Sequence, residues 1–392
     1  MTDSDAAGAA AANVPPPSAL AGAFRVEERR REGDRILYVG EPLLPADELE
    51  RRVWPTFREA GYSVRLTRVT DTEPDPVSGV ELRSRRYALV AEPAGGGIEG
   101  IPWTNIVMFL LTVATTLFVG SSWYYEQVTG PLDLLTGQSW QFSAAVLSVL
   151  AVHEFGHYAL SRHHDVSASL PYFIPFPSII GTLGAVIKMD GRIPDRRALF
   201  DIGVAGPLAG LVAAVMVSIV GLSMEPITVP QRILESSNAV AIEFGYPPLL
   251  QLLAELTGRP LEYSNPQLAV NPVVFGGWVG MFVTFLNLIP VGQFDGGHLM
   301  RAMVGERAAS VAALVPAALF GLAGYLYAFA DVGINAPALW GFWGLFTLGV
   351  AYVGPADPVY DEPLDRRRMA VGVLTFLLGG LCFVPVPFQI LS

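Results

Sequence analysis

Residues 148–164 read SVLAVHEFGHYALSRHH. The run is apolar enough for lipid, yet it places two histidines and a glutamate within five residues. An ionisable side chain at mid-membrane costs about 2.5–3.5 kcal/mol on insertion scales, so three together need a compensating partner. His153 and His157 are four apart and share a helix face. Two imidazoles at that spacing can hold one Zn2+, and the intervening Glu154 can reach a water at the metal. Zinc brings the pKa of such a water toward about 7, and the glutamate accepts its proton. A satisfied polar cluster or a proton relay without metal is the plainer alternative.

The surrounding chain supports a membrane setting. It has 392 residues, is 52% hydrophobic and has a mean hydropathy of +0.43. Only 16% of residues are charged, against roughly 25% in an average soluble domain. The net charge of −11, with no concentrated basic face, argues against nucleic acid as a partner. A single cysteine, Cys382, excludes an internal disulfide or a thiolate zinc site. The expected fold class is an α-helical polytopic membrane protein of about six or seven transmembrane helices with a small N-terminal α+β cytoplasmic domain. The spans are expected near 104–121, 140–161, 199–222, 273–292, 308–329, 336–354 and 369–388, each long enough to cross ~30 Å of hydrocarbon. Arginines and lysines collect in the 162–198, 293–307 and 355–368 connections. With seven spans, this puts the N-terminal domain and those loops in the cytoplasm.

Residues 1–23 lack the basic and apolar regions of a signal peptide and read as a disordered tail. Residues 24–96 read as a soluble α+β domain, with strands at 36–40, 62–69 and 86–92 and a helix over 44–61 that Pro55 would bend. GGGIEGIP at 95–102 is expected to act as a hinge into the membrane domain, 97–392. Within that domain, 170–190 (LPYFIPFPSIIGTLGAVIKMD) holds three prolines and two glycines. It is a poor helix and suits a re-entrant loop or β-hairpin beside the second span.

Catalytic zinc usually takes three protein ligands. The fourth span ends in TFLNLIPVGQFDGGHLMRAM, 284–303. Asp295 is the best third ligand there. Pro290 breaks the helix, and Gly292, Gly296 and Gly297 permit a tight backbone that aims Asp295 back at the metal. Asn287 could hydrogen-bond substrate backbone or a developing oxyanion. His298, three residues past Asp295, could support the site from behind or simply sit at the interface. His163 and His164 are out of phase with the ligands and read as interfacial. Gly206, Pro207 and Gly210 read as close helix packing.

HExxH in one membrane helix, with Asn287-x-x-Pro290-x-x-x-x-Asp295-Gly296 in a later one, resembles the site-2 protease family of intramembrane zinc metalloproteases. Both motifs match at every fixed position, and the resemblance covers a core of 140–303. The segments Gly181–Ala185 and Ala205–Gly210 look like the small-residue segments of prokaryotic and chloroplast members. The resemblance implies one Zn2+ per chain held by His153, His157 and Asp295, with Glu154 as general base and Asn287 assisting the substrate. It also implies cleavage of peptide bonds in or near transmembrane segments of membrane-tethered proteins, with the lipid bilayer as surroundings. No stretch between the motifs is long enough for the PDZ domain of many bacterial members. The alternative is a membrane metal-ion transporter or sensor using the same His/Asp cluster, for which Glu154 has no evident use.

Overall fold

The computed structural model describes residues 14–74, 81–93, 100–189, 192–235 and 241–391. They divide into two compact units.

The first unit is built on 14–93. Strands β1 (Phe24–Glu32), β2 (Arg35–Pro42), β3 (Tyr62–Pro74) and β4 (Glu81–Pro93) form an antiparallel sheet in the order β1-β2-β4-β3. Helix α1 (Ala46–Glu59) runs on through Pro55. It buries Leu49, Val53 and Phe57 at helical spacing, and Phe57 meets Tyr38 edge-on at 5.5 Å. The tail expected to be disordered over 1–23 is partly ordered. Its residues 1–13 lie outside the described residues, but Leu20 and Ala23 are buried and Tyr38 donates its hydroxyl to the Pro15 carbonyl at 2.6 Å. Two apolar side chains and one buried hydroxyl suffice to tie this segment down. Most of the expected hinge, 94–99, lies outside the described residues.

The second unit is mostly helical. Its helices are α2 (Trp103–Trp123), α3 (Ser139–His163), α4 (Arg196–Ser223), α5 (Pro272–Asn287), α6 (Asp295–Val304), α7 (Ala308–Phe329), α8 (Asn335–Val353) and α9 (Arg366–Gly380), with shorter elements between them. Among the described residues, four helical runs are long and apolar enough to cross a membrane: α2, α4, Asp295–Phe329 and α8. Helix α3 buries Phe142, Val146, Val149, Leu150, His153, Glu154, His157 and Ser161. That 3.6-residue stripe packs on α4 and α5 and carries the HExxH residues into the interior.

Two departures from simple helices position the site. Segment 170–190 contains the hairpin β5 (Tyr172–Pro175) and β6 (Thr182–Val186), paired Tyr172↔Val186, Phe173↔Ala185 and Ile174↔Gly184. Helix α2 holds it. Asn105 donates to the Leu170 and Pro171 carbonyls at 2.9 and 3.1 Å, Thr115 to Gly181 at 2.7 Å and Trp123 to Ile179 at 2.9 Å. The second departure follows α5, which stops at Asn287, earlier than the expected 292. Pro290 lacks the N–H that a helix needs, and Gly292 turns at φ +50°. A Cβ on Gly296 would stand 2.2 Å from the Leu288 carbonyl oxygen, and one on Gly297 2.2 Å from that of Gly292. Only glycines let α6 start against this turn, and Asp295 is its first residue.

Candidate metal centre

Three sequence-distant side chains converge where α3, α4 and the α5–α6 turn meet. His153 and His157 Nε2 are 3.3 Å apart. Asp295 straddles them, with Oδ2 3.2 Å from His153 Nε2 and Oδ1 3.2 Å from His157 Nε2. His153, Glu154 and His157 are buried, and the Asp295 side chain is 17% exposed. Asn287 Nδ2 lies 3.1 Å from His153 Nε2. The five residues singled out, His153, Glu154, His157, Asn287 and Asp295, are therefore in one place.

The donor chemistry fits a cation. His157 Nδ1 lies 2.8 Å from the Ile202 carbonyl, which can only accept. That bond puts the ring proton on Nδ1 and leaves Nε2 a lone pair facing the cluster. The His157 lone pair and the Asp295 carboxylate oxygen 3.2 Å from it repel unless a proton or a cation lies between them. A tetrahedral centre with bonds of about 2.0–2.1 Å has ligand-to-ligand edges near 3.3 Å, which is the spacing found here. Two nitrogens and an oxygen suit zinc, and a fourth position stays open for water or substrate. Glu154 is buried beside this cluster, on the helix α3 that packs against β6.

Helix α4 is shaped to the imidazoles. A Cβ on Gly206 would stand 2.0 Å from His157 Nε2, and one on Gly210 2.8 Å from His153 Nδ1. Gly156 in turn fits against the Ala205 carbonyl, 2.7 Å from where its Cβ would be. Sequence reasoning took Gly206 and Gly210 for helix packing alone. The available signal was their four-residue spacing, which equals that of His153 and His157. The carbonyl of Ile202 is a backbone group and leaves no mark in a sequence. His298 is buried and His164 Nε2 lies 3.1 Å from Asp201 Oδ2, so each has a protein partner.

A helical unit with an intramembrane-type HExxH helix and a distant aspartate defines a class, and comparison with known proteins agrees. The family model described as Peptidase family M50 matches residues 141–323. The probable zinc metalloprotease EGY1, chloroplastic, of Oryza sativa subsp. japonica is 30% identical over 88% of this chain and 62% of its own length. Its Arabidopsis thaliana counterpart is 32% identical over 90% of this chain and 66% of its own. The probable zinc metalloprotease EGY2, chloroplastic, of Arabidopsis thaliana is 26% identical over 89% and 59%. The matched region holds both site motifs, and these relatives are described as zinc metalloproteases. The chain spans just under two thirds of the length of these curated relatives. No solved structure matches.

Proposed function

We propose that this chain is an intramembrane zinc endopeptidase. It would cut peptide bonds in or near transmembrane segments of membrane-tethered proteins. The observation that carries the reading is the 3.2–3.3 Å convergence of His153, His157 and Asp295 beside a carboxylate, Glu154, that the cluster does not need as a ligand. His153, His157 and Asp295 would hold the zinc, which when bound supplies Lewis acidity toward a carbonyl and toward water. Glu154 takes the proton of the attacking water and hands it to the departing amine nitrogen. Asn287, beside His153, is placed to donate its amide N–H to the carbonyl oxygen as charge develops there. A helical substrate hides its carbonyls in i→i−4 bonds and has to unwind first. The edge of β6 would receive the unwound strand by main-chain pairing, next to the helix α3 that carries Glu154.

In the same reading the chain is a multi-pass cell-membrane protein of six or seven spans. The 24–96 domain and the opening to the site face the cytoplasm, as the arginine-bearing connections support. The deciding experiment measures zinc per chain in detergent-purified protein together with cleavage of a membrane-tethered reporter. Wild type and Glu154→Gln should each hold about one zinc, Asp295→Ala should lose it, and only wild type should cleave. Zinc retained by Asp295→Ala, or cleavage by Glu154→Gln, would sink the reading.

A further inference from the structure

The turn that delivers Asp295 is irregular in backbone, although Leu288, Ile289 and Val291 within it are buried. Residues 288–294 contain Pro290 and a left-handed Gly292, and two short-range bonds close them, Val291 N–H to Ile289 at 2.8 Å and Phe294 N–H to Val291 at 3.3 Å. A small rotation of α6 about its first turn would swing the Asp295 carboxylate away from the histidines. One side chain reaches from this turn to a fixed support. His298 lies one helical turn after Asp295 and is 9% exposed. Its Nδ1 accepts the N–H of Ala356 at 3.1 Å. The ring is therefore neutral, with its proton on Nε2.

Ala356 belongs to the loop 354–365, which is itself well anchored. Val359 and Tyr360 donate their N–H groups to the Ile193 and Pro194 carbonyls at 3.0 and 2.9 Å. Arg301 of α6 binds Asp357 and Asp361 at 2.8 and 2.9 Å. On the far side α4 comes close, with Gly203 placed so that its Cβ would be 3.6 Å from His298 Cβ.

We propose that His298 is a positioning residue. It clamps the first turn of α6, which begins with Asp295, to the anchored 354–365 loop and thereby fixes the direction of Asp295. The clamp stands on geometry alone, while its consequence for zinc rests on the function proposed above. Outer-shell partners of this kind are worth about 10–100-fold in metal affinity.

The test uses the full chain in detergent. His298→Phe removes the acceptor, and Ala356→Pro removes the donor without touching the imidazole. Two readouts apply: amide hydrogen exchange of the peptide covering 288–297, and the rate of zinc release to a chelator. Each variant should speed both by about tenfold, and the double variant should do no more than the larger single, because both break one clamp. If His298→Phe does not fold, His298→Leu replaces it. It also lacks the acceptor for Ala356, and it should loosen the same peptide. Unchanged exchange in Ala356→Pro and the histidine variant overturns the clamp, as do effects that multiply. Faster exchange with wild-type zinc release overturns the positioning of Asp295. A wild type that binds no zinc overturns the zinc reading instead, and exchange still decides the clamp.

Discussion

His153 and His157 can occupy their positions because α4 presents hydrogen where other residues present a methyl group. The two glycines differ in what they protect. Gly206 faces His157 Nε2, the metal-facing atom, at 2.0 Å from a notional Cβ, while Gly210 faces His153 Nδ1 at 2.8 Å. Gly→Ala inside a helix ordinarily stabilises by up to about 1 kcal/mol, so a merely structural role predicts neutral or tighter folding. Gly206→Ala should instead cost most of the bound zinc, and Gly210→Ala should cost less, as read by zinc per chain and chelator release. Equal, full zinc in both variants would show that the imidazoles have slack. At this scale the side-chain chemistry was legible. His153, Glu154, His157 and Asp295 announce themselves because charge in an apolar run needs a reason. Their backbone partners did not, since any residue type carries the same N–H and C=O.

Among elements, the irregular ones were the readable ones. Proline and glycine marked both the β5–β6 hairpin and the break before Asp295, because each forbids a helix for a local steric reason. Strand β1 went unrecognised. Its sequence FRVEERRRE is exposed along most of its length, so it lacks the period-2 alternation that a half-buried strand shows. The grip of α2 on the hairpin supports one prediction. Thr115→Val removes the hydroxyl that donates to the Gly181 carbonyl while leaving the three donor side chains in place. Amide hydrogen exchange of the peptide covering 172–186 should rise, and zinc content should stay near that of wild type. Unchanged exchange would mean that this bond does not hold the hairpin.

For the membrane unit as a whole, long-range ionic ties join segments far apart in sequence. Arg368, in the first turn of α9, binds both oxygens of Asp201 on α4 at 2.8 Å, and His164, just past α3, lies 3.1 Å from the same carboxylate. Hydropathy placed these helices but could not pair them, because pairing depends on which faces meet. Arg368→Ala should lower stability by about 1 kcal/mol, a modest figure because the Arg368 side chain is 34% exposed and solvent screens the pair. Thermal unfolding in detergent reads this directly, and zinc content should not follow it. Coupled loss of zinc would show that the last helix helps to hold the centre.

The matching four-residue pitch of glycines on α4 and histidines on α3 has a mechanical result. Like teeth in a rack, Gly206, Gly210 and Gly156 each receive a neighbour that no other offset would accommodate. Neither helix can slide along the other by a fraction of a turn without driving an imidazole into backbone. The pair is the stationary jaw of the molecule. The hairpin is held by another kind of fastening, the hydrogen bonds from Asn105, Thr115 and Trp123 of α2, each of which can break without the others.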